Sequence, residues 1–262
     1  MTGASLVLLG SAMAITCMML IVWLISLKMR DASIVDIAWG SGFVVVAWVS
    51  FWLSEGEPTR SLLLTLLTTI WGLRLAFYLA KRNLGHGEDF RYQSMRRKHG
   101  EKFAIVSLYS VFGVQGLLMW IVSLPVQLGQ VRDSPSFGVI GAAGVLVWGV
   151  GMFFEAVGDA QLAKFKRDPA NKGLVMNRGL WRYTRHPNYF GDSCVWAGLG
   201  LIAAESSLGI FGLLGPVVMT ILLVKVSGAA LLDRAMLKRK PGYEKYVAST
   251  SGFIPRPPRR LN

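Results

Sequence analysis

Apolar runs recur along the chain, each about as long as the roughly 20 residues a helix needs to cross a bilayer core. They fall near residues 5–27, 34–53, 61–80, 103–126, 137–157, 189–204 and 208–232. The pattern predicts an all-α, multi-pass membrane bundle of seven transmembrane helices in a single domain, 1–262. Two long polar connections, 81–102 and 158–188, and a tail, 233–262, interrupt or follow the runs, while the alternate connections are short. Long connections tend to carry function, which directs attention to these segments. No basic residue precedes the first run, and it is longer than the apolar region of a secretory signal, so it counts as a span. The Pro255-Arg256-Pro257-Pro258 stretch reads as extended chain.

Composition sharpens this reading. A soluble chain of this length would carry roughly 65 charged side chains; this one has 28 Lys plus Arg and 15 Asp plus Glu, with 53% hydrophobic residues. A soluble globule and a disordered chain are both excluded on that balance. The net charge of +13 would suit a nucleic-acid binder, but such a protein has no use for long charge-free runs. Of the 28 basic residues, 24 lie after the first, third and fifth spans or in the tail. The opposite side receives Arg60 and Arg132, with Arg74 and Lys225 inside spans. This asymmetry predicts the amino terminus outside, the carboxy terminus cytosolic, and a cationic face that meets anionic lipid heads. Cys17 and Cys194 both sit in apolar runs, which suits neither a disulfide framework nor zinc. His86, His99 and His186 lack metal-ligand spacing, so no metal is expected.

An ionisable group inside a span costs at least about 2.5 kcal/mol on insertion scales and is a functional candidate for that reason. Asp36, Arg74, Glu155, Asp192 and Lys225 qualify, with Asp159 at a boundary. Asp36 is equally readable as a helix-start acid favoured by the dipole, and Arg74 as a side chain snorkelling to the interface. Arg74, Tyr78 and Arg82 share one helix face by i, i+4 spacing. Glu155 and Asp159 share another, which runs into Lys164-Phe165-Lys166-Arg167 and admits an ion-pair reading as well.

The most informative stretch is 173–192, containing Gly179-Leu180-Trp181-Arg182-Tyr183-Thr184-Arg185-His186-Pro187-Asn188-Tyr189-Phe190-Gly191-Asp192. Pro187 suits a first helical turn, whose free N–H groups and dipole favour an anion. Guanidinium groups around it match phosphate geometry, Trp and Tyr rings offer stacking surfaces, and Asn188 and Asp192 could bond a ribose or carboxamide. Together they suit a dinucleotide entering from the cytosol. The string Gly198-Leu199-Gly200-Leu201-Ile202-Ala203 imitates a dinucleotide fingerprint but lies in an apolar span with no strand before it, which reads as close helix packing.

On these residues the chain resembles the integral-membrane steroid 5-alpha-reductase family, particularly its bacterial branch, and more distantly the sterol reductases. The likeness rests on Asp159 through Pro169, the block ending at Asp192, and the tail Asp233…Pro241-Gly242-Tyr243-Glu244-Lys245-Tyr246…Phe253-Ile254-Pro255. It implies a seven-helix bundle holding NADPH. The candidate cofactor contacts it implies are Asp159, Lys166, Trp181, Tyr183, Arg185, His186, Asn188, Tyr189, Asp192, Asp233, Tyr243 and Tyr246, joined by Arg74, Tyr78, Arg82 and Asn83 from the third span. Family members that act on steroids use a glutamate early in span two and a tyrosine in span three. Asp36 is the equivalent of the first and becomes the catalytic candidate; Trp71 stands in the place of the second, and an indole lacks tyrosine's acidity.

The expected activity is NADPH-dependent reduction of a carbon–carbon double bond conjugated to a carbonyl in a lipophilic substrate such as a 3-oxo-Δ4 steroid, which enters from the bilayer. Asp36, protonated in an apolar cavity, would hold the developing enolate oxygen. The alternative is an S-adenosylmethionine-dependent enzyme similar to the isoprenylcysteine carboxyl methyltransferases, which share the Arg-His-Pro-x-Tyr block and the Tyr-x-x-Tyr…Ile-Pro tail. S-Adenosylmethionine carries no phosphate, so the cationic loops favour NADPH. The expected location is an integral membrane: the inner membrane in a bacterium, the endoplasmic reticulum in a eukaryote.

Overall fold

The computed structural model describes residues 3–131, 135–226 and 228–259; Arg132 and Arg260, counted above in the charge asymmetry, lie outside them. The described residues are helical with no strand: α1 (Gly3–Met29), α2 (Ile34–Leu53), α3 (Pro58–Asn83), α4 (Phe90–His99), α5 (Phe103–Ser107), a π-helical segment (Leu108–Gly113), α6 (Val114–Val122), α7 (Leu124–Leu128), α8 (Val139–Arg167), α9 (Pro187–Ala204), α10 (Leu214–Ile221), a second π-helical segment (Leu222–Val226), α11 (Ala229–Arg239) and α12 (Tyr243–Ser249). Six stretches are long and apolar enough to cross a membrane: Gly3–Met29, Ile34–Leu53, Pro58–Asn83, Phe90–Val122, Val139–Arg167 and Gly209–Arg239. The seventh expected span corresponds to α9, which has 18 residues but opens with the polar Asn188, Asp192 and Ser193. Large apolar side chains stay uncovered on α1, with Met13 65% and Leu24 58% exposed. A helix apolar on every side and so little covered is matched to lipid, not to water.

The chain divides into two compact units, Met1–Ala142 with Leu199–Gly215, and Ala143–Gly198 with Pro216–Asn262. In the first, α2 and α3 meet at Gly40 and Gly72, where a Cβ on either would strike the other's carbonyl oxygen. Without a hydrophobic drive between helices in lipid, close backbone contact of this kind supplies much of the association. Two indoles tie α1 down: Trp23 Nε1 donates to Ala104 O at 3.0 Å and Trp120 Nε1 to Leu8 O at 3.0 Å. α1 and the Leu108–Gly113 segment also border an apolar groove of about 610 Å³, lined by Ile15, Met19, Phe112, Gly116 and Trp120 among others.

Helix starts follow local chemistry. Glu57 caps α3 by accepting from Thr59 N at 3.1 Å and Arg60 N at 2.7 Å, with Pro58 at the first position. The first turn of α8 is capped from a distance: Glu205 accepts from Gly138 N and, at 2.7 Å, from Gly141 N. Arg60, wholly buried, donates to Glu205 Oε2 at 3.3 Å and to Pro135 O at 2.7 Å. Thus a residue expected merely in an outer connection is half of an internal ion pair.

In the second unit α8 and α9 cross at Gly151 and Gly191, each seated against the other's carbonyl oxygen, and again where Gly198 meets Gly144 O. Gly198, the first glycine of the fingerprint-like string, therefore serves close helix packing, as its apolar setting implied.

Candidate functional site

In the second unit the 173–192 block and the tail fold onto one carboxylate. Asp233, on α11, accepts from Arg185 Nη2 at 2.8 Å, His186 Nε2 lies 3.1 Å from it, and Tyr243 Oη donates to it at 2.6 Å. Arg185 is further committed: Nη1 donates to Thr250 O at 2.5 Å and to Val247 O at 3.3 Å, and its backbone N–H reaches Ser251 O at 2.9 Å. Trp181 Nε1 donates to Gly158 O at 3.0 Å, and Tyr246 Oη donates to Trp181 O at 2.5 Å. Thr184 Oγ1 donates to Phe253 O at 2.7 Å, which pins the extended tail beside the block. Burial, together with the Asp233 carboxylate it donates to, raises the Tyr243 phenol far above its ordinary pKa, and burial does the same for Tyr246. Both phenols therefore stay protonated across physiological pH.

This lattice borders a cavity of about 230 Å³ lined by Leu162, Phe165, Lys166, Trp181, Arg185, His186, Tyr243 and Tyr246. A second recess of about 290 Å³ shares Phe165, Lys166 and Lys240 with it and adds Arg167 and Lys172. Flat aromatic walls thus adjoin a recess bordered by four cations and the single acid Asp168.

The expected residues do not all serve alike. Lys166, Trp181, Arg185, His186, Tyr243 and Tyr246 line the cavity, but Arg185 reaches it with its donors already engaged by Asp233 and two carbonyls. Asp233 organises the lattice from behind. Asn188 Nδ2 donates to Asp159 Oδ1 at 3.2 Å, joining two other candidates to each other. Tyr189 stacks on His186 with ring centroids 5.4 Å apart, Asp192 is buried, and Tyr183 is 44% exposed.

The first unit holds the remaining candidates. Arg74 and Arg82 both lie over the Tyr78 ring, 5.5 and 5.8 Å from its centroid, and Arg82 Nε donates to Asn83 Oδ1 at 2.9 Å. The i, i+4 face expected here is thus formed. Asp36 is set differently from expectation: Arg91 Nη2 donates to its Oδ2 at 2.7 Å and Tyr92 Oη to its Oδ1 at 2.8 Å. Its surroundings are a guanidinium and a phenol instead of an apolar cavity, because α4 folds back over the start of α2. Gln115 Nε2 donates to the Tyr92 oxygen at 3.2 Å. α4 is anchored by Glu88, which takes both Arg96 Nε and Nη2 and the Ala32 N–H. Burial works against the Glu88 charge, but Arg96 and the Ala32 N–H outweigh it and hold the carboxyl below its usual range. Tyr92 and Arg91 escaped the reading of the sequence; the only signal for them was an aromatic inside a basic polar connection. Trp71, at the position where a tyrosine was expected, is wholly buried against Phe43. Among the described residues no cluster of His, Cys, Asp and Glu is arranged to hold a metal ion.

Comparison with known proteins adds relatives of limited description. The model of a protein family of unknown function, DUF1295, matches residues 22–250. An uncharacterized protein of Schizosaccharomyces pombe, C594.04c, is 23% identical over 268 residues, covering 90% of this chain and 76% of that protein. A probable O-methyltransferase of Ustilaginoidea virens, UstE, is 34% identical over 68 residues, 26% of this chain and 24% of that protein. No solved structure matches.

Proposed function

The chain belongs to the DUF1295 family of proteins of unknown function, and from that premise we propose that it is a seven-span membrane reductase that uses NADPH to reduce a conjugated carbon–carbon double bond in a lipophilic substrate, a 3-oxo-Δ4 steroid being the model compound. The observation that carries the reading is the pair of adjoining recesses in the second unit, aromatic in one part and cationic in the other. The residues fit a phosphorylated dinucleotide: Lys166, Arg167, Lys172 and Lys240 offer charge to phosphates, and Trp181, His186, Tyr243 and Tyr246 offer flat walls. When bound, NADPH supplies the hydride.

The chain's own part is to orient, exclude water and move a proton. The Asp233 lattice holds His186 and Tyr243 in fixed orientations, so that the cavity wall is preorganised. The proton source we assign to the Asp36–Tyr92 pair, where a buried phenol and a carboxylate share one hydrogen bond and Gln115 orients the phenol oxygen. The apolar groove of the first unit supports a substrate drawn from the bilayer. Turnover of NADPH with testosterone or progesterone in liposomes tests the reading, and Tyr92→Phe should lower the rate by roughly 10²-fold or more while leaving NADPH affinity intact. A protein that neither binds nor oxidises NADPH would overturn it.

The match to a probable O-methyltransferase favours a second reading, transfer of a methyl group from S-adenosylmethionine. It covers 68 residues and accounts for none of the cations around the recess, because that cofactor has no phosphate for them to meet.

A further inference from the structure

The tail builds a recess that the proposed reaction does not use. Residues Ser249 to Gly252, with Arg256 and Arg259, enclose about 280 Å³, and among the described residues no acidic side chain borders it. Two features make it a prepared site instead of loose chain. The first is rigidity: Arg185 Nη1 bonds Thr250 O, Arg185 N bonds Ser251 O, Thr184 Oγ1 bonds Phe253 O, Arg256 N bonds Tyr183 O at 3.0 Å, and Arg259 N bonds Ser249 O at 2.8 Å. These bonds fold the extended segment back so that both arginines stand over the end of α12. The second is availability. Among the described residues neither the Arg256 nor the Arg259 guanidinium has a hydrogen-bond or ion-pair partner, while the carbonyls of the helix end that would repel an anion are already taken by Arg185, Ser249, Thr250 and Arg259.

We propose that this recess binds a phosphate group, gripped by Arg256 and Arg259 with help from the Ser251 hydroxyl. Two guanidinium forks with no competing carboxylate among the described residues match the planar, bidentate recognition of phosphate oxygens. The same chemistry is offered by an anionic phospholipid headgroup and by a free phosphate, and the two are separable. The site is distinct from the Lys166 recess, with which it shares no lining residue.

The test uses the full-length chain in neutral detergent and follows thermal unfolding against three probes: short-chain phosphatidylglycerol, short-chain phosphatidylcholine and inorganic pyrophosphate. The wild type should be stabilised by phosphatidylglycerol or pyrophosphate, and R256Q/R259Q should weaken the apparent affinity about tenfold or more, since each charge-assisted bond lost is worth roughly a factor of ten. Stabilisation by phosphatidylglycerol alone identifies a lipid headgroup; stabilisation by pyrophosphate alone identifies a soluble phosphate. Because both arginines are exposed, the variant's unfolding temperature without probe should equal that of the wild type, and its NADPH affinity should be unchanged. No stabilisation by either anionic probe, or an equal shift in the variant, overturns the proposal. Either result stands whether or not NADPH binds, so it is read independently of the reductase assignment.

Discussion

Asp233 accepts from three side chains of different chemistry at once, a guanidinium, an imidazole and a phenol. Replacing it by Asn keeps the shape but removes the charge that holds Arg185, so Asp233→Asn should cost roughly 1–3 kcal/mol of stability, as for a half-buried charged hydrogen-bond partner that is lost, seen as a lower unfolding temperature without ligand. Lys166→Ala should act on the ligand, weakening NADPH about tenfold through one lost charge-assisted contact. The contrast separates organising residues from contacting ones. Residue types and spacing made the block and tail legible as one cluster, and the resemblance supplied a ligand for it. They could not show that Arg185 spends its donors on Asp233, Val247 O and Thr250 O, because a sequence does not display the internal partners that compete with a ligand. The Arg60–Glu205 pair was invisible for the same reason, its halves lying 145 residues apart.

At the scale of helices, lipid offers no penalty for separating apolar faces, so backbone proximity decides which helices pair. Gly72→Val should push α3 from α2 and cost about 1–3 kcal/mol or more by overpacking, measurable as a lowered unfolding temperature, whereas the same substitution at Gly149, which has open space around it, should be nearly silent. α4 depends on charge instead. The Glu88 carboxyl is held below its usual range by Arg96 and Ala32 N–H, so its contribution is present above the ordinary glutamate value and disappears as pH falls through the lower folded value. Wild type should therefore lose stability more steeply than Glu88→Gln between about pH 5 and pH 3; parallel curves would contradict the anchoring role. Hydrophobic periodicity located the long helices well, since a span is written in some 20 consecutive residues. It gave no sign of α4, whose mixed polar sequence is held in place where Glu88 meets Ala32 N–H and Arg91 and Tyr92 meet Asp36.

For the whole molecule, six stretches meet the length and apolarity of a membrane span. The seventh expected span, α9, is not among them: it is polar at its start, where it carries Asn188 and Asp192 of the candidate site. Seven spans with a cytosolic carboxy terminus require that reporters fused after residue 259 and after residue 55 lie on opposite sides of the membrane. The concentration of 24 basic residues in alternate connections is the physical ground for this expectation. It also underlies the central proposal, that the recess bordered by Lys166, Arg167, Lys172 and Lys240 takes a phosphorylated ligand. The most direct measurement is thermal unfolding of the purified full-length chain titrated in parallel with NADPH and with S-adenosylmethionine. NADPH should raise the unfolding temperature, with about 2.7 kcal/mol of added stability at a hundredfold excess over its Kd, and S-adenosylmethionine should leave it unchanged; a rise with S-adenosylmethionine and none with NADPH would contradict the account.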